Sequence, residues 1–342
     1  MKEKIKVGII GSAGYTGGEL LRLLVFHPQV EIVFAHSSSN AGKCISDVHT
    51  DLLGDTDLLF SATTTPEIDV LFLCVGHGDA RKYLDANPVA PHIKIIDLSQ
   101  DYRLKANTEY QGKHFVYGLP ELNREQIQQA SYIANPGCFA TTIQLGLLPL
   151  ASVGLLIGDI HTNATTGSTG AGQSLTATSH FSWRNNNLSA YKIFNHQHLQ
   201  EISESLEQLQ PGFLPSSDNG ETLMERAASK IHFVPQRGDF TRGIFAISYL
   251  DSSLTLEEAY QLYENYYASA PFTHISKVNI DLKQVVNTNK CIIHLEKHGK
   301  QLLVISMTDN LLKGASGQAV QNMNLAFGLE ETIGLKLKAA AF

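Results

Sequence analysis

Four runs in the first hundred residues are almost wholly apolar: KIKVGII (4–10), VEIVFAHS (30–37), IDVLFLCVG (68–76) and IKIIDLS (93–99). A fifth, YIANPG (132–137), closes the series. Strands this apolar are buried on both faces, and that is the condition of a parallel sheet covered by its crossover helices. The stretches between them agree. GELLRLLVFH (18–27) sets Leu20, Leu23, Leu24 and His27 at helical spacing, and GDARKYLDA (78–86) also reads as a helix. Strand and helix in alternation predict an α/β domain built on a parallel sheet.

Beyond Cys138 the pattern changes. GDIHTNATTG (158–167), KIHFVPQ (230–236), GIFAISYL (243–250) and KVNIDLKQV (277–285) read as strands. KCIIHLEKHGKQLLVISM (290–307) reads as two strands joined at KHGK, and TLEEAYQLYENYYAS (255–269) as a helix capped by Ser253 or Thr255. This predicts an α+β domain on a mostly antiparallel sheet. QLQPGFLPSSDNGE (208–221) reads as a mobile loop. The tail KGASGQAVQNMNLAFGL (313–329) returns to small residues and then a helix.

Composition limits the function classes. The 342 residues are 43% hydrophobic and 17% charged, with a net charge of −7. That length allows two domains with separate cores. A diffuse acidic balance argues against a nucleic-acid partner. No run approaches the ~18 apolar residues of a membrane span. The opening MKEKIKVGII is too short in its apolar part for a signal peptide. A cytoplasmic protein is expected. Cys44, Cys74, Cys138 and Cys291 are widely spaced, which suggests neither a disulfide framework nor a metal knuckle.

GIIGSAGYTGGEL (8–20) follows the first strand and opens the first helix, the setting of a Rossmann dinucleotide loop. Glycines let the backbone approach a pyrophosphate, and the helix start offers free N–H groups. The candidate contacts are Gly11, Ser12, Gly14, Tyr15, Thr16 and Gly17. The glycines recur every third residue rather than as G-x-G-x-x-G. The second strand ends AHSSSNAGK (35–43), with Ser37, Ser38, Ser39 and Lys43 where an NAD site carries a carboxylate. NADP is therefore expected over NAD.

In NPGC (135–138) a cysteine meets a helix start just after a strand. The helix dipole and free N–H groups there favour the thiolate. Together with the Asn135 amide they could also hold an oxyanion. Cys74 and Cys291 sit in apolar strands and read as inert; Cys44 reads as a loop residue. A nucleophilic cysteine beside a nicotinamide implies thioester or thiohemiacetal chemistry, which needs an acid/base. His196 and His198 in YKIFNHQHLQEI (191–202) are candidates, and no third metal ligand accompanies them. NATTGSTGAGQS (163–174) is a candidate anion loop, and Arg103 and Arg242 are candidate carboxylate or phosphate contacts.

These stretches, with IDLSQDYRL (96–104), YGLPELNR (117–124) and KGASGQAVQNMN (313–324), resemble the N-acetyl-γ-glutamyl-phosphate reductases along nearly the full chain. More distantly, the chain is similar to aspartate-semialdehyde dehydrogenases and phosphorylating glyceraldehyde-3-phosphate dehydrogenases. The resemblance implies NADPH-dependent reduction of an N-acyl-γ-glutamyl phosphate to the semialdehyde, with release of inorganic phosphate, in arginine biosynthesis. It implies Cys138 as nucleophile and His198, with His196 as alternate, as acid/base. Arg103 falls at an arginine near the substrate phosphate, and the loop at Ser168, Thr169 and Gly170 joins it. The implied architecture is a Rossmann domain of residues 1–137 and 313–342, with a substrate and oligomerisation domain of 138–312. A homodimer or homotetramer with no metal is implied.

Phe139, Ala140, Gln197, Asp239 and Phe240 depart from the family's usual residues and cluster around the reacting groups. They leave an N-succinyl substrate open beside N-acetyl, although Gln197, at a position the family usually gives to arginine, argues weakly against it. Aspartate-semialdehyde dehydrogenase is the alternative enzyme. A catalytically silent dinucleotide-binding regulator is the alternative of another class.

Overall fold

The computed structural model describes residues 4–217 and 220–340, which form two compact units. The first runs to Pro136 and takes back Ala315–Lys336; the second is essentially Gly137–Gly314.

In the first unit the strands are β1 (Ile5–Ile10), β2 (Val30–His36), β3 (Phe60–Ser61), β4 (Val70–Leu73), β5 (Lys94–Asp97), β6 (Glu109–Tyr110), β7 (Lys113–Tyr117) and β8 (Tyr132–Ala134). They form one sheet in the order β3-β2-β1-β4-β5-β8-β7-β6. All neighbours are parallel except β6 and β7. Every residue of β4 is buried, as an interior parallel strand demands. Its Leu71 and Leu73 share a core with Ala80 and Leu84 of α2 (Asp79–Ala86).

The helix α1 (Tyr15–Leu24) begins before the apolar run read from the sequence, and α3 (Pro120–Gln129) opens on a proline. The returning segment carries a fully buried helix, Gly317–Ala326. An Arg124–Glu331 ion pair at 2.6 Å and a contact of 3.2 Å between His27 Nε2 and Asn324 Oδ1 tie it into this unit.

In the second unit the strands are β9 (Ile160–Thr166), β10 (Ser189–Ala190), β11 (Ile231–Arg237), β12 (Ile244–Asp251), β13 (Thr273–Ser276), β14 (Cys291–His298) and β15 (Gln301–Thr308). Their order is β10-β11-β9-β12-β15-β14-β13. The pairs β11–β9 and β13–β14 are parallel and the remaining four antiparallel. The sheet is thus mixed and mostly antiparallel.

The strand expected at 277–285 is absent. Asp281 accepts a hydrogen bond from the Lys283 N–H at 2.9 Å and starts a 3-10 turn, while the strand is the preceding β13. Short polar side chains that bond their own backbone compete with a ladder in this way. Of the loop expected over 208–221, α6 (His198–Leu209) takes the start, and Asp218 and Asn219 lie outside the described residues.

The core of this unit is the helix α4 (Cys138–Ser152), buried from Phe139 to Ala151. It packs against α6, β12, β15 and α8 (Leu256–Tyr266), and α8 starts in a capping box at Thr255. The shorter α5 (Phe181–Arg184) and α7 (Leu223–Lys230) lie on either side of α6 in sequence. Alternate residues of β9, β12 and β15 point away from the buried face. There Tyr249 stands between His161 and Leu303, and Ile247 between Asn163 and Ile305, all incompletely buried.

Pro149 lies inside α4 and has no N–H for the Leu145 carbonyl one turn back. The Tyr267 hydroxyl donates to that carbonyl at 2.5 Å, and the Tyr263 hydroxyl to the Gly146 carbonyl at 2.6 Å. Two buried tyrosines thus mend the helix at its break. Tyr267→Phe is expected to cost about 1–3 kcal/mol by withdrawing a buried donor. Urea denaturation measures this, and an unchanged midpoint would contradict the repair.

Candidate active site

Cys138 is the first residue of α4, and its helix N-cap is Gly137. The Gly137 N–H donates to Glu201 Oε2 at 2.9 Å, and its carbonyl accepts the Thr141 N–H at 2.8 Å. A Cβ at Gly137 would lie 2.4 Å from His198 Nε2, so the imidazole rests on the backbone next to the cysteine. His198 is the first residue of α6, and Glu201 stands one turn on, with Oε1 3.8 Å from His198 Nε2. Gly314 closes the other side, for a Cβ there would lie 2.9 Å from the Cys138 Cβ. The side chain of Cys138 is partly accessible, whereas Cys291 is buried. Burial pushes the Cys74 thiol up to about 12, which leaves it inert.

His196 is packed among Phe139, Tyr191, Phe233 and His198, with ring centroids 4.6–5.8 Å away. Burial, reinforced by His198 and Lys192, holds its pKa down at about 2. It is neutral at physiological pH, and its Nδ1 accepts the His198 backbone N–H at 3.2 Å. A group so far from the working pH is poorly matched to acid/base catalysis. Its geometry fixes the start of α6.

Two neighbours escaped the sequence reading. Tyr191 is pushed up to about 12, chiefly by burial, and Cys138 contributes to the shift. The Arg237 guanidinium lies over its ring at 4.7 Å. Glu201 was legible only as an i,i+3 partner of His198.

In the glycine-rich turn at 167–172, four successive N–H groups are turned to carbonyls of the chain. The N–H groups of Gly167, Ser168, Thr169 and Gly170 donate to the carbonyls of Gly243, Phe240, Thr241 and Gly167 at 2.8–3.3 Å. The Thr169 hydroxyl donates to the Thr241 carbonyl. Among these groups the Ser168 hydroxyl is without a hydrogen bond among the described residues. Arg242 is held by Asp309, with Nε and Nη2 each 3.0 Å from a carboxylate oxygen.

In the first unit, Asn135 is turned inward. Its amide donates to the Ala315 carbonyl at 3.0 Å and accepts from Asn322 Nδ2 at 3.0 Å. The side chain thus ties the loop to the returning segment. Arg103 is buried and donates from Nε to the Asn135 carbonyl and from Nη2 to the Leu98 carbonyl, both at 2.8 Å. These bonds brace the main chain at Asn135 and Leu98.

At the glycine loop, Gly11 has φ +76° and its missing Cβ would meet the Cys74 carbonyl at 2.3 Å. A Cβ at Gly17 would lie 2.6 Å from the Gly11 carbonyl oxygen. No side chain caps the first turn of α1, at Tyr15 and Thr16 beyond Gly14. Ser12 is an exception to the expected contacts: it is buried, and its hydroxyl donates to the His36 carbonyl at 2.9 Å. After β2, Ser37 is buried while Ser38 and Ser39 are exposed, and Lys43 Nζ bonds Asn40 Oδ1 at 3.1 Å. Among the described residues no group of His, Cys, Asp and Glu is arranged to hold a metal ion, and no helix is long and apolar enough to cross a membrane.

The second unit thus sets a thiol at a buried helix start beside an imidazole seated on the same backbone, and the first unit carries a glycine-rich turn between β1 and α1. Family models for semialdehyde dehydrogenases match residues 6–130 as the NAD binding domain and 138–310 as the dimerisation domain. Curated relatives named N-acetyl-gamma-glutamyl-phosphate reductase occur in Bacteroides thetaiotaomicron (59% identity), Phocaeicola vulgatus (60%) and Flavobacterium johnsoniae (55%). Each alignment covers 99% of this chain and 100% of the relative. The chain belongs to the semialdehyde dehydrogenase family and, within it, to the N-acetyl-γ-glutamyl-phosphate reductases.

The fold matches that of aspartate semialdehyde dehydrogenase II from Vibrio cholerae, complexed with ASA, at a TM-score of 0.71 and 14% identity, over 96% of this chain and 99% of the other. It also matches the Candida albicans enzyme with NADP at a TM-score of 0.64 and 14% identity, over 97% and 100%.

His196 makes stability depend on pH. Its pKa is about 6.5 in the unfolded chain and about 2 in the fold. The unfolded state therefore binds the extra proton, and the contribution from neutral His196 is present above pH 6.5 and lost as pH falls toward 2. The limiting slope is about 1.4 kcal/mol per pH unit. His196→Asn is expected to flatten the stability curve between about pH 6 and 4. Urea titrations across that range measure it, and parallel curves for the two proteins would contradict the buried neutral state.

Proposed function

We propose that this protein reduces N-acetyl-γ-glutamyl phosphate to N-acetylglutamate 5-semialdehyde, releasing phosphate, through a thioester on Cys138. One observation carries the reading: the nucleophile heads a buried helix whose N-cap is bonded to Glu201 and overlaid by His198. The names of the relatives favour this substrate, whereas the aspartate-semialdehyde enzymes share only 14% identity and the fold.

His198 takes the Cys138 proton. The thiolate attacks the γ-carbonyl carbon, the carbon–oxygen bond to phosphate breaks, and a thioester remains. In this reading the Ser168 hydroxyl contacts the departing phosphate. A nicotinamide cofactor, which the turn at 11–17 would hold, would supply the hydride that reduces the thioester. The His198 imidazolium protonates the resulting oxyanion, then takes the proton back as the carbon–sulfur bond breaks. Aldehyde leaves and the Cys138 thiolate is restored.

Gly11 and Gly17 let the turn close on its own backbone ahead of α1, and the uncapped first turn beyond Gly14, at Tyr15 and Thr16, offers N–H groups to a pyrophosphate. Ser37, Ser38, Ser39 and Lys43 supply hydroxyls and a cation with no carboxylate among them, which favours NADP. The partly apolar face around Tyr249, Leu303, Ile247 and Ile305 suits a second copy of the chain, in line with the dimerisation domain that the family model names. A thiol nucleophile also requires a reducing compartment, which favours the cytoplasm.

The reverse reaction tests the chemistry. Purified protein given N-acetylglutamate semialdehyde, NADP and phosphate is expected to form NADPH, and aspartate and N-succinylglutamate semialdehydes serve as comparisons. Cys138→Ala is expected to lose the phosphate-dependent signal and keep NADP binding. Full activity in Cys138→Ala would overturn the thioester route. Ile247→Glu is expected to turn an oligomer into a monomer of 37.4 kDa by light scattering. An unchanged mass would remove that face from the assembly.

A further inference from the structure

Glu201 is a buried carboxylate with two neighbours of different kinds. Its Oε2 accepts the Gly137 N–H at 2.9 Å, and its Oε1 lies 3.8 Å from His198 Nε2. The first neighbour is the residue before the nucleophile. The second is the imidazole that the reaction uses. Both Glu201 and His198 are nearly inaccessible to solvent, so their interaction is weakly screened.

Nothing in the chemistry above uses this carboxylate, yet a buried anion is costly unless it is bonded. We propose that Glu201 is a positioning residue that joins the Cys138 backbone to the His198 ring and, by its charge, stabilises the imidazolium form. This rests on the thioester reading for its importance to turnover, but not for the coupling itself.

The surroundings fit an anion acting on this ring. On the approach to α6 stand Tyr191, Lys192 and His196, on β11 stands Arg237, and on α4 stands Cys138. His196 is held neutral. Lys192 and Arg237 disfavour a proton on the neighbouring His196, and Glu201 is the carboxylate that opposes them there. The spacing follows from α6: a carboxylate at i+3 reaches back over the helix start, where the first N–H groups and the ring at position i are found.

Glu201→Gln is the discriminating variant. Glutamine keeps an oxygen for the Gly137 N–H and loses the charge. The readout is the NMR titration of the His198 ring, assigned with His198→Gln, in the full-length protein without substrate. The expected result is a fall in the His198 midpoint of about one pH unit or more in Glu201→Gln, since an adjacent opposite charge typically moves a pKa by 1–3 units. In parallel, kcat should fall about tenfold while NADP binding is unchanged.

Glu201→Asp keeps the charge and should recover much of the midpoint. A midpoint equal in wild type and Glu201→Gln would overturn the proposal, leaving Glu201 a prop for the loop. The titration needs no turnover, so failure of the thioester reading would show separately, as absent activity in wild type.

Discussion

The reacting end of this protein depends on a residue with no side chain. Gly137 sits where a Cβ would collide with the His198 imidazole at 2.4 Å. Its N–H is held by Glu201, and its carbonyl starts the hydrogen bonding of α4 through Thr141. Removing one methyl group from the backbone thus lets a helix start and an imidazole occupy the same few ångströms. Any larger residue would displace the His198 ring or tilt the first turn of α4. Cys138 would move with either.

That junction needs a rigid base, and α4 supplies it. The helix is buried along its length, so its orientation is fixed by packing rather than by its own propensity. Its one internal flaw, Pro149, is covered by a tyrosine hydroxyl from beyond α8. The aromatic nest of Phe139, Tyr191, Phe233 and His196 then fills the space between α4, α6 and β11. His196 behaves there as a neutral ring whose Nδ1 accepts the His198 N–H, so the two imidazoles of the H-x-H pair sit in different surroundings.

The α/β first unit was legible because interior parallel strands leave an almost unbroken apolar record, as in VLFL of β4. The position of Cys138 at a helix start was legible because Pro136 and Gly137 separate a strand from a helical run. The bonding of the turn at 167–172 was not legible, because glycine and hydroxyl content does not reveal where N–H groups point. At Ser168 and Thr169 they turn to the carbonyls of Phe240 and Thr241, about seventy residues away in the chain. The inward bonds of Asn135 and Arg103 were not legible either, because they are made to tertiary partners such as Asn322 and the Leu98 carbonyl. Glu201 was hidden because its importance lies in contacts at Gly137, 64 positions away.

The central claim is that the acyl group passes to Cys138, and it is tested most directly by catching that intermediate. Protein free of nicotinamide, mixed with the acyl phosphate and quenched in acid, should carry one acyl adduct on the peptide containing Cys138. Hydroxylamine should remove it, as it does a thioester. An adduct on another residue, or no adduct under conditions that support turnover once NADPH is added, would contradict the account.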